Sequence, residues 1–135
     1  MKVDINTAVS QAVTSVPDCL AAGYVDVASG LLLCIKTVDS HPSEVIDLLA
    51  AATSDLFQGQ NVVAVENMFK KSRGVDSARH YFQEIIINSD NLLHIFLRGR
   101  KYQDYVLTFV CRKTVNLGMA LTKARAALPG VEEAI

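Results

Sequence analysis

The residues of this sequence with the greatest chemical reach are Cys19, Cys34 and Cys111, together with His41, His80 and His94. Cys34 with His94 or His41 has the types of a nucleophile and its base. Cys111 precedes Arg112 and Lys113, two cations that would lower the pKa of an exposed thiol. No nucleophile elbow of the GxSxG kind accompanies any of them, and a buried core cysteine is the plainer reading of each. The histidines are far apart, with no HExxH or i,i+4 arrangement, and the cysteines are widely spaced with no CxxC. Neither a metal site nor a disulfide framework is signalled. Gly23, Gly30, Gly59, Gly74, Gly99, Gly118 and Gly130 are dispersed and form neither GxGxxG nor GxxxxGK[ST], so no nucleotide loop is expected. The chain is therefore read as non-enzymatic, with no cofactor, and the chemistry left to it is that of surfaces.

One basic run could be such a surface. Lys70, Lys71, Arg73 and Arg79 beside His80, Tyr81 and Phe82 are the raw material of a nucleic-acid interface. Against that, the net charge is −1 and the first sixty residues carry seven acids and two bases, a balance of −5. The remainder, with seven acids and eleven bases, has a balance of +4. Such asymmetry within a small domain suits opposite faces or ends, and so a dimer or a charged partner, better than a phosphate backbone. Nucleic acid is disfavoured as a partner, and Arg98, Arg100 and Lys101 read as a hairpin tip.

A length of 135 residues that is 50% hydrophobic can close one core without staples, so residues 1–135 are expected to form one domain. No segment has the length needed to cross a bilayer, and Met-Lys-Val-Asp leads into an amphipathic pattern, so no membrane is called for and a cytoplasmic location is expected.

The elements that must position these residues follow from periodicity. Asp4 is a candidate N-cap for a helix with Ile5, Val9, Ala12, Val13 and Val16 on one face and Pro17 just beyond. Cys19–Val27 and Leu31–Thr37 read as strands joined through Ala28-Ser29-Gly30. Asp39-Ser40-His41-Pro42-Ser43-Glu44 predicts a second helix to about Phe57, with Gly59 as its stop. Its apolar residues Val45, Ile46, Leu48, Leu49, Ala52 and Leu56 form a stripe wide enough for contact on two sides. Residues 61–72 fit a helical face through Val62, Val65 and Phe69, with a strand over Val62–Val65 as the alternative. Alternation over 81–88, a β-type run over Leu92–Leu97 and another over Tyr102–Val110 give three further strands. A last helix through Val115, Leu117, Met119 and Leu121 is expected to end at Pro129-Gly130. The resulting fold class is α+β, a five-stranded antiparallel sheet sandwiched by helices in the order α-ββ-α(α)-βββ-α.

This order resembles the roadblock (dynein light-chain) family, within the wider profilin-like group. The resemblance is clearest over 81–128: Tyr81-Phe82-Gln83-Glu84-Ile85-Ile86-Ile87, then Leu92-Leu93-His94-Ile95-Phe96-Leu97 and Tyr105-Val106-Leu107-Thr108-Phe109-Val110. Thr114-Val115-Asn116-Leu117-Gly118-Met119-Ala120 is similar to the Asn-Leu-Gly lead into that family's final helix. The 60–78 connection is longer than the family's usual passage from helix two to strand three, and the first hairpin has Ala28-Ser29-Gly30 in place of an aspartate-glycine turn.

The resemblance implies a non-catalytic scaffold or regulator whose third strands join across a two-fold axis while the second helices pack together, often with a small Ras-like GTPase or a motor subunit as partner. An edge strand has backbone groups that a second copy can satisfy, and a broad apolar helix can cover the seam. The expected partner is thus a second copy or a similar chain. On this sequence the seam falls on Val45, Leu48, Leu49, Ala52, Leu56, Phe82, Glu84 and Ile86, and the longer 61–72 segment offers Lys70, Lys71 and Arg73 as a partner surface. The alternative is a small-molecule sensor, since related sandwiches can form a pocket between sheet and helices.

Overall fold

The computed structural model describes residues 3–38, 43–74 and 82–135, with 43–50 described as helical backbone only. Among the described residues nine elements follow one another: α1 (Ile5–Ser15), β1 (Cys19–Asp26), β2 (Leu31–Thr37), α2 (Ser43–Gln58), α3 (Gln60–Ser72), β3 (Glu84–Asn88), β4 (Leu92–Arg98), β5 (Tyr105–Arg112) and α4 (Leu117–Glu133). The strands form one antiparallel sheet in the order β2-β1-β5-β4-β3, so β2 and β3 are its edges.

Local chemistry sets these boundaries. Asp4 caps α1, its carboxylate accepting from the Thr7 amide at 2.9 Å and from the Thr7 hydroxyl at 3.1 Å, and both bonds hold its pKa below the usual carboxylate value. Pro17 lies just past the end of α1, and Asp18 takes a left-handed φ of 52° that turns the chain into β1. The first hairpin closes through Gly30 at φ 76°, where a side chain would be strained. Its register slips by one residue between Tyr24 and Val25. Residues 60–72 are helical, which decides between the two readings of that segment. Gly59 lets α3 start directly after α2, because a Cβ there would lie 2.5 Å from the Asp55 carbonyl oxygen.

The alternation along the strands divides the interior in two. Ala22 and Tyr24 of β1, Leu93, Ile95 and Leu97 of β4, and Leu107, Phe109 and Cys111 of β5 pack under α1 and α4. The other face carries Val25, Val27, Phe96 and Val106 against Phe57 of α2, with Ile85 and Ile87 of β3 half-buried beside them. Among the small residues of α4, Ala120 and Ala124 are fully buried, which lets that helix lie close on the sheet.

Three expectations are corrected. The fifth strand starts at Tyr105 rather than Tyr102, because the Tyr105 amide donates to the Tyr102 carbonyl and closes a turn there. The last helix does not end at Pro129 but continues to Glu133 with the proline inside it. Leu128, Val131 and Glu132 are buried on its inner face, and that burial outweighs the hydrogen bond the proline removes. Strand three begins at Glu84 rather than 81, since the Phe82 amide is engaged by a side chain of α3. The helix start proposed over 39–42 lies outside the described residues. Among the described residues no helix is long and apolar enough to cross a membrane.

Candidate functional site

Both edge strands, β2 and β3, offer unfinished backbone, and β3 is the one to which the resemblance assigns a seam. Among the described residues β3 pairs with β4 alone, in the register Glu84↔Leu97, Ile85↔Phe96, Ile86↔Ile95, Ile87↔His94 and Asn88↔Leu93. Its two faces differ. Ile85 and Ile87 turn toward the α2 side, where they pack against the Phe57 cluster. Glu84 turns toward α4 and accepts two bonds from Arg125, from Nε at 2.9 Å and from Nη2 at 2.6 Å. Ile86, on that same face, is 40% exposed.

These positions sort the residues named for a seam. Glu84 and Ile86 face α4, Phe82 immediately precedes the strand, and the strand residues that share the side of α2 are Ile85 and Ile87. On α2, Ala52 is exposed, Leu56 is half-buried against the second core, and Thr53 and Phe57 are buried. Positions 45, 48 and 49 fall in line with 52 and 56 on the helical repeat, about 100° round from 53. The side chains of Val45, Leu48 and Leu49 lie outside the described residues.

α3 is tied to this edge by a buried polar group that the sequence reading passed over. Glu66, 2% exposed, accepts from the Phe82 amide at 2.8 Å and stands 3.9 Å from Nη1 of Arg98, which is also 2% exposed. Arg98 is therefore no solvated hairpin tip. Its guanidinium lies 5.0 Å from the centre of the Phe57 ring, and its Nη2 donates to the Phe57 carbonyl at 2.9 Å, near the C-terminus of α2, where a positive charge is favoured. Burial lowers the Arg98 pKa, and Glu66 and Asp104 oppose that shift. Arg100 and Lys101 do occupy the exposed tip. Below it, Glu132 of α4 accepts from the amides of Lys101 at 2.8 Å and Tyr102 at 2.9 Å. A hydrophobic-pattern reading cannot find Arg98 or Glu66, because a charged residue at a strand end or on a helix ordinarily faces water. The signal available was their chemistry: opposite charges on neighbouring elements.

Lys70 and Lys71 lie in the last turn of α3 and Arg73 caps it; Lys71 and Arg73 are exposed and Lys70 is half-buried. The exposed side of the same helix carries Val65, Met68 and Phe69. Arg79, His80 and Tyr81 lie outside the described residues.

The thiol and imidazole candidates are kept apart. Cys34 belongs to the core under α1 and donates to Asn6 Oδ1 at 3.1 Å. His94 is on the opposite face of the sheet, its Nε2 lying 3.2 Å from Ser89 Oγ, and burial lowers its pKa. Cys111 is fully buried, and its pKa is pushed up by hydrogen bonding with Cys19 and by burial. The neighbouring Lys113 instead donates to the Ser89 carbonyl at 2.7 Å. His41 lies outside the described residues, among which no group of three metal-ligating side chains occurs. A groove of about 550 Å³ runs outside both cores, between α1 and β2, lined by polar residues including Asn6, Ser10, Gln11, Thr14 and Lys36.

With this geometry the chain has the roadblock fold, a member of the profilin-like sandwiches. It superposes on MglB of Myxococcus xanthus with a TM-score of 0.69 at 16% identity, covering 94% of this chain and 90% of that one. A Roadblock/LC7 domain from Streptomyces avermitilis gives 0.69 at 15% identity and 96% of both chains. Profilin II of Acanthamoeba castellanii gives 0.56 at 12% identity, covering 93% of this chain and 94% of that one. No family model matches the sequence, and no curated protein matches it. The fold expected from the order of elements is thus borne out by structure at a distance where sequence similarity alone is silent.

Proposed function

We propose that this chain is a non-catalytic interaction module of one domain that dimerises through β3 and α2 and regulates or scaffolds a partner in the cytoplasm. The observation that carries this reading is the β3 edge, a five-residue strand paired with β4 among the described residues, whose Ile85 and Ile87 share one apolar cluster with Leu56 and Phe57 at the end of α2. A two-fold pairing of β3 with its copy, or with β3 of a similar chain, would satisfy the outer backbone groups. It would also bring the two copies of α2 together over Ile85 and Ile87. The seam then comprises Val45, Leu48, Leu49, Ala52, Leu56, Phe82, Glu84 and Ile86, joined by Ile85 and Ile87. A small Ras-like GTPase is the proposed partner, on the resemblance to the roadblock family, with Lys70, Lys71 and Arg73 as its docking charges. The sensor alternative would draw on the groove beside α1, but an open trough differs from the enclosed walls typical of small-molecule sites.

Light scattering on a sizing column at micromolar concentration tests the assembly. The wild type is expected to run as a dimer, and Leu49→Glu and Ala52→Glu each as a folded monomer. A monomeric wild type overturns the reading, and dimers that survive both substitutions move the seam elsewhere. The partner is tested by binding to a Ras-like GTPase of the same organism loaded with a GTP analogue. Reversing Lys70 and Lys71 to glutamate is expected to weaken that binding at least tenfold without disturbing the fold, and unchanged affinity rejects this docking surface.

A further inference from the structure

Cys19 and Cys111 are direct partners across the β1–β5 ladder. Beside them the Arg112 amide donates to the Asp18 carbonyl at 3.0 Å, and the register shifts just beyond, between Cys19 and Ala21. Residues paired across antiparallel strands have Cα atoms about 4.5–5.5 Å apart, inside the range a disulfide spans. Both side chains are on one face of the sheet, since Cys111 belongs to the core under α1 and α4 and Cys19 packs against that core. Their exposure differs: Cys19 is half-buried and Cys111 is fully buried.

We propose that Cys19 and Cys111 form a regulated disulfide, closed by a hydroperoxide, that staples β1 to β5. Cys19, half-buried, is the thiol a peroxide can reach, and hydrogen bonding with Cys111 lowers its pKa while burial opposes that shift. Cys19 is thus the attacking thiol, and the fully buried Cys111 is the resolving one. The Cys19 thiolate attacks one peroxide oxygen, the O–O bond breaks, and Cys19 becomes a sulfenic acid while the other oxygen leaves and is protonated to an alcohol or water. The Cys111 sulfur then attacks the sulfenic sulfur, the S–S bond forms, and hydroxide departs with the Cys111 proton as water. In all, two thiols give up two electrons and two protons to one hydroperoxide. The staple joins the turn that leaves α1, at Pro17 and Asp18, to the turn that enters α4, at Val115 and Asn116, so it fixes the two helices of that face relative to each other. Cys34, held against Asn6 on β2, is a built-in control.

The test treats the folded full chain with equimolar hydrogen peroxide, removes the peroxide, then unfolds the chain in an alkylating agent and maps it. Expected are a fall from three alkylatable cysteines to one, Cys34, a peptide pair joined through Cys19 and Cys111, and an intact mass lower by about 2 Da before alkylation. Dithiothreitol should reverse all three changes. In Cys111→Ala the reaction should stop at the sulfenic acid, trapped on Cys19 by dimedone, whereas the wild type should give little adduct. Three cysteines still alkylatable, modification of Cys34 first, or equal dimedone labelling in both proteins would overturn the proposal. Should Cys111→Ala fail to fold, the peptide map of the wild type decides alone.

Discussion

Replacing the buried ion pair tests whether α3 is held by charge or only by packing. Arg98 and Glu66 are each 2% exposed and their charged atoms are 3.9 Å apart, which at an effective dielectric of about 20 corresponds to an attraction of about 4 kcal/mol. The contact is not a hydrogen bond, so we expect the measured coupling to fall to about 2–3 kcal/mol. Arg98→Met preserves much of the side-chain volume but loses the bond to the Phe57 carbonyl and takes the Arg98 charge away from buried Glu66; the expected cost is about 3–5 kcal/mol. Glu66→Gln keeps an oxygen for the Phe82 amide and should cost about 1–3 kcal/mol. The double variant should be little worse than Arg98→Met. Urea unfolding of the four proteins at one fixed concentration gives the cycle. Costs that add to within about 0.5 kcal/mol would refute the reasoning, leaving Phe57 to hold Arg98 and Phe82 to hold Glu66 independently.

Three other perturbations probe separate parts of the fold. The Tyr24 hydroxyl is buried and makes no hydrogen bond among the described residues, so Tyr24→Phe should raise stability by up to about 1 kcal/mol in the same urea assay, and a loss of that size would contradict it. At Gly99 a Cβ would lie 2.1 Å from the Tyr102 carbonyl oxygen and 3.0 Å from Glu132 Oε2, so Gly99→Ala should cost at least about 2 kcal/mol and lower the melting temperature. Burial holds the His94 pKa below that of the unfolded chain, so the unfolded state binds the proton first and stability falls as pH drops through about 6.5. His94→Gln should flatten stability between about pH 7 and pH 5.5, where carboxylates change little, and an unchanged slope would place the sensitivity in another group.

The sequence made the frame of this molecule legible because its signals are local. Asp4 and Pro17 bracket α1, and the apolar β-type runs over Leu92–Leu97 and Tyr105–Val110 mark largely buried strands. The edge position of β3 came from the resemblance, since alternation cannot order strands in a sheet. What was not legible depends on partners distant in the chain. Val62, Val65 and Phe69 fit a helix, and the run 62–65 also fits a strand; the helix is accompanied by Glu66 turned inward toward Arg98, thirty-two positions on. Pro129 reads as a stop until Val131 and Glu132 are seen buried beyond it, with Glu132 holding the amides of the β4–β5 tip. The face of β3 that shares the side of α2 could not be chosen from 81–88, because isoleucines stand at 85, 86 and 87 and so on both faces.

That polar network bears on assembly as well as on folding. Glu66 fixes the Phe82 amide two residues before β3 begins, and Arg98 pairs its own amide with the Gln83 carbonyl, so the start of the edge is set by directional bonds more than by packing. If β3 is the seam of a dimer, the edge must present its outer backbone groups in one register, and a loosened start costs order that the second copy must restore. Glu66→Gln should therefore dimerise nearly as the wild type does, whereas Glu66→Leu, which removes the bond to the Phe82 amide, should weaken the dimer about tenfold, or about 1.4 kcal/mol. Sedimentation over a concentration series measures both. Dissociation constants equal to the wild type's in both variants would show that the network serves the monomer alone, and a glutamine variant weakened as much as the leucine variant would assign the effect to charge rather than to the bond at Phe82.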